Sequence, residues 1–212
     1  MTAQIPDIFT YGETDFSLIA ITPSEAELFD PRDHGLNPSR HGTACYRGYW
    51  CGFEITDALY LENLLVWCMD HKYPPLCGIR PELDLDPERK PDPLDWDACG
   101  EYRQFMEDFN HYSGLHMKIP FTGKLLAGTG FLEEYHIHMG FQRAFAYEKV
   151  FEFEFAGGDL VRTADLSRKA AEMRERIQRS EPVETVDRTD PFDFVRRSFS
   201  LDYGVKGFHE EE

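Results

Sequence analysis

The chain has 212 residues and a formal net charge of −17, from 39 acidic and 22 basic side chains. A surface this negative repels nucleic acid and anionic membranes, which excludes both as expected partners, whereas it suits a basic protein partner, metal cations or plain solubility. Apolar residues make up 42% and aromatic residues 14% of the chain. This composition is sufficient for a buried core and favours strands over helices.

The cysteines and the N-terminus indicate the compartment. Five cysteines are an odd number and no CxxC pair occurs, so we expect free thiols in a reducing environment. Residues 1–15 form a polar lead-in without the basic and apolar regions of a signal peptide, and the chain contains no run of 18 apolar residues. These features predict a cytoplasmic protein.

The first half of the chain alternates apolar runs with turn residues. Strands are predicted at Phe16–Ile21, Thr43–Phe53, Leu59–Trp67 and 76–79, with a loop over 30–42. The run Thr43–Phe53 carries aromatic side chains at both parities, which predicts a central strand with two buried faces.

Residues 82–101 have a different composition. They contain eight acidic side chains against Arg89 and Lys90, and their three prolines exclude a continuous helix. Because the β-like pattern resumes afterwards, we interpret this segment as an acidic, proline-rich surface insertion and not as a domain boundary.

Three further strands are predicted at 114–120, 123–127 and 134–139, with a turn at Gly128–Gly130. The clearest pattern follows, with aromatic rings at odd positions and carboxylates between them. It predicts a strand with one aromatic face, followed by a hairpin turn at Gly157–Asp159. The rings belong to Phe145, Tyr147, Phe151, Phe153 and Phe155, and the carboxylates to Glu148, Glu152 and Glu154.

After this hairpin the period changes to that of a helix. Asp165 is a suitable N-cap, and apolar side chains recur on one face through Leu166, Ala170, Met173 and Ile177. We therefore predict one long amphipathic helix near 165–179 that covers part of the sheet. Residues 181–212 are predicted to form a partly flexible C-terminal tail.

Together these elements predict the fold class. The chain is expected to be mainly β (α+β) and to form a single domain over 1–212. The sheet is expected to be antiparallel, shaped either as a sandwich or as a strongly bent half-barrel, with the helix near 165–179 as its cover.

Two segments resemble a family of uncharacterised bacterial proteins. The first is HGTACYRGY at His41–Tyr49, which is similar to the family's T-A-C-W/Y-R-G-Y segment, with Tyr46 where tryptophan is usual. The second runs from KIP at Lys118–Pro120 to HMGF at His138–Phe141, which is similar to the family's H-M-G-Y/F segment. The resemblance covers about half of the chain; it implies a bacterial β-rich domain and assigns no activity, cofactor or site residue.

His136 and His138 are candidate metal ligands. On a strand, residues two apart lie on one face at about 7 Å between Cα atoms, so the pair would hold zinc or iron if a third ligand converged from Glu134, His111 or His116. The alternative is that one imidazole is hydrogen-bonded and the other faces water.

Arg47 is a candidate anion-binding residue. Its position inside a predicted strand requires a carboxylate, a backbone cluster or an anionic ligand beside the guanidinium. A structural ion pair would meet this need, and so would an anion pocket that Arg47 forms with His41 and Arg40.

The acidic insertion is a candidate docking surface. Carboxylates attract a cationic partner and raise its association rate, and a tryptophan adds a large apolar contact. The predicted partner-binding residues are Asp84, Asp86, Asp92, Asp95 and Trp96. The alternative is a solvated loop.

No catalytic residue can be named, because a nucleophile elbow, a dinucleotide-binding glycine motif and a phosphate-binding loop are all absent from the sequence. We therefore expect an acidic cytoplasmic protein-binding module without a cofactor, in its specific form an immunity-type protein that neutralises a basic toxin. The competing hypothesis is a metal-dependent enzyme or metal-binding protein built on His136 and His138.

Overall fold

The computed structural model describes residues 3–23, 27–83, 109–138 and 140–179. Within these ranges nine strands form one sheet. They are, in chain order, β1 (Ile8–Tyr11), β2 (Thr14–Thr22), β3 (Tyr49–Ile55), β4 (Leu59–Val66), β5 (Glu82–Leu83), β6 (Asn110–Lys118), β7 (Gly123–Phe131), β8 (Tyr147–Ala156) and β9 (Asp159–Asp165).

The sheet order is β5-β6-β4-β3-β1-β2-β7-β8-β9. The sheet was predicted to be antiparallel, but it is mixed. Strand β1 runs parallel to β3 and antiparallel to β2. The sequence interpretation missed β1 inside the polar lead-in, although Phe9 is fully buried and stacks on Phe53 at 5.1 Å between ring centroids. Strand β3 is central, as predicted from its two aromatic faces.

The aromatic strand is confirmed as β8, but its five predicted rings do not share one face. Phe145 precedes the strand in a 3-10 turn, and Phe145 and Tyr147 pack in a second hydrophobic cluster. Phe153 and Phe155 are buried in the main hydrophobic cluster, and the half-buried Phe151 packs against them. The cluster also contains Tyr49 and Phe53 of β3, so one face of the sheet is a continuous aromatic core. The hairpin from β8 into β9 is confirmed as well.

The sheet curls until its two halves meet at one end. Ala58, in the turn between β3 and β4, bridges Asp159 at the start of β9. The amide of Leu59 donates to the Gly158 carbonyl at 2.9 Å, and the Gly158 amide donates to the Phe121 carbonyl at 2.7 Å. We call these contacts the seam. They join the starts of β4 and β9, which have five strands between them in the sheet order, and bend the sheet into a half-barrel.

Gly158 is required at the seam. Its φ of +93° lies in the left-handed region, and a Cβ atom there would be 2.4 Å from the carbonyl oxygen of Ile119. Only glycine combines this backbone conformation with so close an approach.

The predicted helix is confirmed as α1 (Ser167–Gln178). Ala170 and Met173 are buried against the sheet face opposite the main core, in a cluster that includes Leu126 and Val150. Asp165 Oδ1 accepts a hydrogen bond from the Ser167 amide at 2.8 Å and so satisfies one amide of the first turn. The N-cap position itself is occupied by Leu166, one residue after the predicted Asp165. No helix in the described ranges is both long and apolar enough to cross a membrane.

Three local predictions were wrong. Gly128–Gly130 lies inside β7 and is not a turn. Residues 76–79 form a tight turn closed by a bridge between Leu76 and Ile79, not a strand. The strand predicted at 134–139 is also absent from its described part, 134–138, since a 3-10 turn occupies Glu133–Tyr135 and irregular backbone follows it.

Candidate functional sites

The predicted partner-binding residues Asp84, Asp86, Asp92, Asp95 and Trp96 lie outside the described residues. The structure does describe both ends of the acidic insertion. Strand β5 pairs with β6 at the edge of the sheet, with Leu83 directly opposite Asn110. The chain therefore leaves the sheet and returns to it at neighbouring positions, as in a hairpin, with the 25 residues 84–108 between them.

Aromatic and imidazole side chains surround the place where the insertion returns. Phe109 is buried beside Trp50 and Leu65. The His41 ring lies 5.0 Å from Phe109 and 5.1 Å from Trp67 between centroids, so His41 is part of this cluster. The base of the insertion is thus well packed.

Arg47 lies outside any strand, because β3 begins at Tyr49, and this corrects its predicted position inside a strand. Its guanidinium donates to both carboxylate oxygens of Asp7, from Nη2 at 2.7 Å and from Nη1 at 3.1 Å. Asp7 also accepts from the Cys51 amide at 2.9 Å. The structural ion pair that the sequence allowed is therefore present, and an anion would have to share the guanidinium with Asp7. The anion pocket of Arg47 and His41 stays a prediction.

The backbone conformation of Gly48 explains why the strand starts late. Its φ is +76°, and a Cβ atom there would lie 2.0 Å from the Ser39 carbonyl oxygen. This left-handed residue turns the chain, which places the Arg47 guanidinium at 4.6 Å from the centroid of the Tyr49 ring. Such a cation–π contact adds to the charge pairing.

The ion pair lies in an environment of low polarity. Burial alone would lower the pKa of Arg47, but attraction and hydrogen bonding from Asp7 raise it above its ordinary value. Burial also raises the pKa of the neighbouring Cys45 and Cys51 thiols. Neither cysteine is therefore a thiolate near neutral pH, which disfavours both as nucleophiles.

His136 and His138 are exposed and lie close together, with 4.7 Å between ring centroids. The strand on which their spacing was predicted is absent, because the side-chain amide of Gln142 bonds the backbone of Ile137 on both its N–H and C=O sides, at 2.9 and 2.8 Å. A neighbouring strand would otherwise occupy those groups.

The third ligand expected beside this histidine pair is not found in the described part of the chain. His111 bonds Asn63 and His116 bonds Glu62 instead. Only one group of three ligand-type side chains converges among the described residues, and it consists of Glu54, Glu62 and His116.

Sequence reasoning missed this group because its members are spread over three strands. Only Glu54 and Glu62 are near in sequence, and they meet His116 through irregular pairing that no periodicity reveals. The usable signal was Gly114 two residues before His116, since a glycine inside a strand marks a bulge.

In comparisons with known proteins, no family model, no curated protein and no solved structure matches this chain.

Proposed function

We propose that the protein is a binding module for a basic protein and that the insertion 84–108 supplies the recognition surface. Its specific form is an immunity-type protein that neutralises a basic toxin. The supporting observation is the attachment of the insertion: both of its ends are fixed at one edge of the sheet by the pairing of Leu83 with Asn110.

The distribution of charge agrees with this proposal. Residues 84–108 contain nine acidic and three basic side chains, whereas the described residues contain 20 acidic and 15 basic ones. The described residues thus have a net charge of −5, whereas the 25 residues of the insertion alone have a net charge of −6. Concentrated negative charge of this kind accelerates association with a cationic surface.

The binding experiment uses basic proteins encoded beside this gene as candidate partners. Each is titrated with the wild-type chain at several salt concentrations. Electrostatic steering predicts an association rate constant that falls steeply as salt rises, because the Debye length shrinks from about 10 Å at 0.1 M to about 3 Å at 1 M. Binding that ignores salt contradicts the proposal.

Matched variants locate the surface. The test variant neutralises four acidic residues of the insertion, and the control variant neutralises four exposed acidic residues of the described domain. We expect the association rate constant of the test variant to be at least about tenfold lower than that of wild type, and the rate constant of the control variant to be close to the wild-type value. Equal losses would mean that only net charge matters. The test substitutions are Asp84→Asn, Asp86→Asn, Asp92→Asn and Asp95→Asn, and the control substitutions are Glu13→Gln, Asp33→Asn, Glu133→Gln and Glu148→Gln.

Trp96→Ala separates docking from steering. A tryptophan that is buried on binding slows dissociation, so its removal should raise the dissociation rate constant and leave the association rate constant unchanged. For the immunity form, co-expression of this chain should restore growth to cells that produce the basic partner, and the fourfold insertion variant should not.

A further inference from the structure

We infer that Glu54, Glu62 and His116 form a binding site for one divalent transition-metal ion, with Zn²⁺ as the reference ligand. The Nδ1 or Nε2 atom of His116 and one carboxylate oxygen from each glutamate all lie within 4.8 Å of one another. Its three residues belong neither to the acidic insertion nor to the His136–His138 pair.

Two irregularities of the sheet bring these side chains together. Between β3 and β4, Gly52 pairs with Asn63 and Phe53 pairs with Leu61, so Glu62 has no partner on β3. Between β4 and β6, Leu61 pairs with Met117 and Asn63 with Ser113, so Glu62 has no partner on β6 either. Such bulges redirect side chains and recur beside functional sites.

The backbone of His116 is unusual in the same place. Its φ is +44°, in the left-handed region that non-glycine residues seldom adopt, and it sits on β6 opposite the bulged Glu62. The ring then lies flat on Tyr60, at 4.5 Å between centroids and 4° between planes. Stacking on Tyr60 fixes the plane of the imidazole before any ligand arrives.

The donor geometry suits a small cation. The His116 Nδ1 and Glu62 Oε1 atoms are 2.7 Å apart, and the whole donor set spans at most 4.8 Å. A zinc ion about 2.0–2.2 Å from each donor separates its ligands by about 3 to 4.4 Å. Small side-chain rotations convert the present arrangement into that one.

The charge of the group also favours a cation. Two carboxylates face each other, and no lysine or arginine among the described residues forms an ion pair with either of them. A divalent ion would neutralise both charges at once. The His116 side chain is 69% exposed, so water or an external ligand can complete the coordination.

The set of one imidazole and two carboxylates defines the class of metal. Imidazole favours zinc, iron, nickel and copper over magnesium and calcium, while carboxylates add affinity for manganese. We therefore expect Zn²⁺ to bind in preference to Mg²⁺.

The experiment titrates Zn²⁺ into the metal-stripped full chain by calorimetry near neutral pH, because protons compete with metal ions for imidazole and carboxylate ligands in acid. All proteins carry Cys77→Ser and Cys99→Ser, which remove an exposed thiol and a thiol outside the described residues. The test variants are Glu54→Gln and His116→Asn, the latter because asparagine tolerates a left-handed backbone. The control is the double variant His136→Ala/His138→Ala.

We expect one Zn²⁺ per chain, at least about tenfold weaker binding in each test variant, and unchanged binding in the control. X-ray absorption of the zinc-loaded protein should show one nitrogen ligand with oxygen ligands, and circular dichroism should show that each variant is folded. The inference is overturned if the folded test variants bind like wild type, if the control loses the binding, if no ion binds, or if the absorption spectrum shows sulfur ligands.

Discussion

The ion pair between Asp7 and Arg47 allows the most quantitative test. Asp7 is only 4% exposed, and two of the three hydrogen bonds to its carboxylate come from Arg47. Arg47→Met keeps the aliphatic stem but leaves a buried carboxylate with only the Cys51 amide as a donor. Removing one partner of a buried ion pair costs about 3–5 kcal/mol. We expect the lower end, about 3 kcal/mol, because the Arg47 side chain is 32% exposed and solvent screens its charge in part.

Urea unfolding measures this loss, and an unchanged m-value would show that only stability has altered. A loss of about 3 kcal/mol corresponds to a fall in Tm of about 6–12 °C for a chain of this size. The double variant Asp7→Asn/Arg47→Met should lose about 2 kcal/mol less free energy of unfolding than the sum of the losses in the two single variants. Arg32→Met is the control, because its pair with Asp30 is exposed, and it should cost less than about 1 kcal/mol.

If the free energy of unfolding of Arg47→Met lay within about 0.5 kcal/mol of the wild-type value, the usual range for a surface substitution, the ion pair would not stabilise the fold as described. A coupling energy near zero between Asp7 and Arg47 would lead to the same conclusion. If the guanidinium serves an anion, inorganic phosphate should raise the Tm of the wild type and not of Arg47→Met; the predicted anion pocket depends on that result.

Three further predictions probe the fold, the last of them with a control substitution. Burial raises the pKa of Tyr147 to about 12, against about 10 in the unfolded chain. The resulting stabilisation of about 3 kcal/mol is present below about pH 10 and lost as the pH rises towards 12, so urea unfolding should show a smaller loss of stability for Tyr147→Phe than for wild type over that interval. Gly48→Ala should cost about 2 kcal/mol or more, because its Cβ would meet the Ser39 carbonyl oxygen at 2.0 Å, and a Tm equal to that of wild type would contradict the described turn. Phe153→Ala should cost about 3–5 kcal/mol since the ring is fully buried, whereas Val161→Ala at a 57% exposed position should leave the unfolding midpoint unchanged.

The fold could be predicted where a single strand or helix shows its own periodicity. The alternation at Phe151–Phe155 and the apolar stripe from Leu166 to Ile177 each identify an element and its buried face without reference to the rest of the chain. These patterns were sufficient for the fold class and for the position of α1.

The features that the sequence did not predict correctly depend on contacts outside the segment itself. Strand β1 has four residues, too few to show a period, and its place in the sheet depends on a parallel partner more than 40 residues away. The segment with His136 and His138 resembles a strand in sequence, but Gln142 satisfies its backbone locally. The three ligands around Glu62 meet only because two bulges coincide, which is a property of pairing between strands.

The seam has a consequence for how the chain folds. It joins Ala58 to Asp159, about one hundred residues apart in the sequence, so the half-barrel has a high contact order and should fold slowly compared with helical proteins of similar stability. During synthesis the turn at Ala58 must wait for Gly158 and Asp159 to leave the ribosome before the open end of the aromatic core can be covered. A chain that ends before Gly157 would leave that end uncovered and prone to association with other chains.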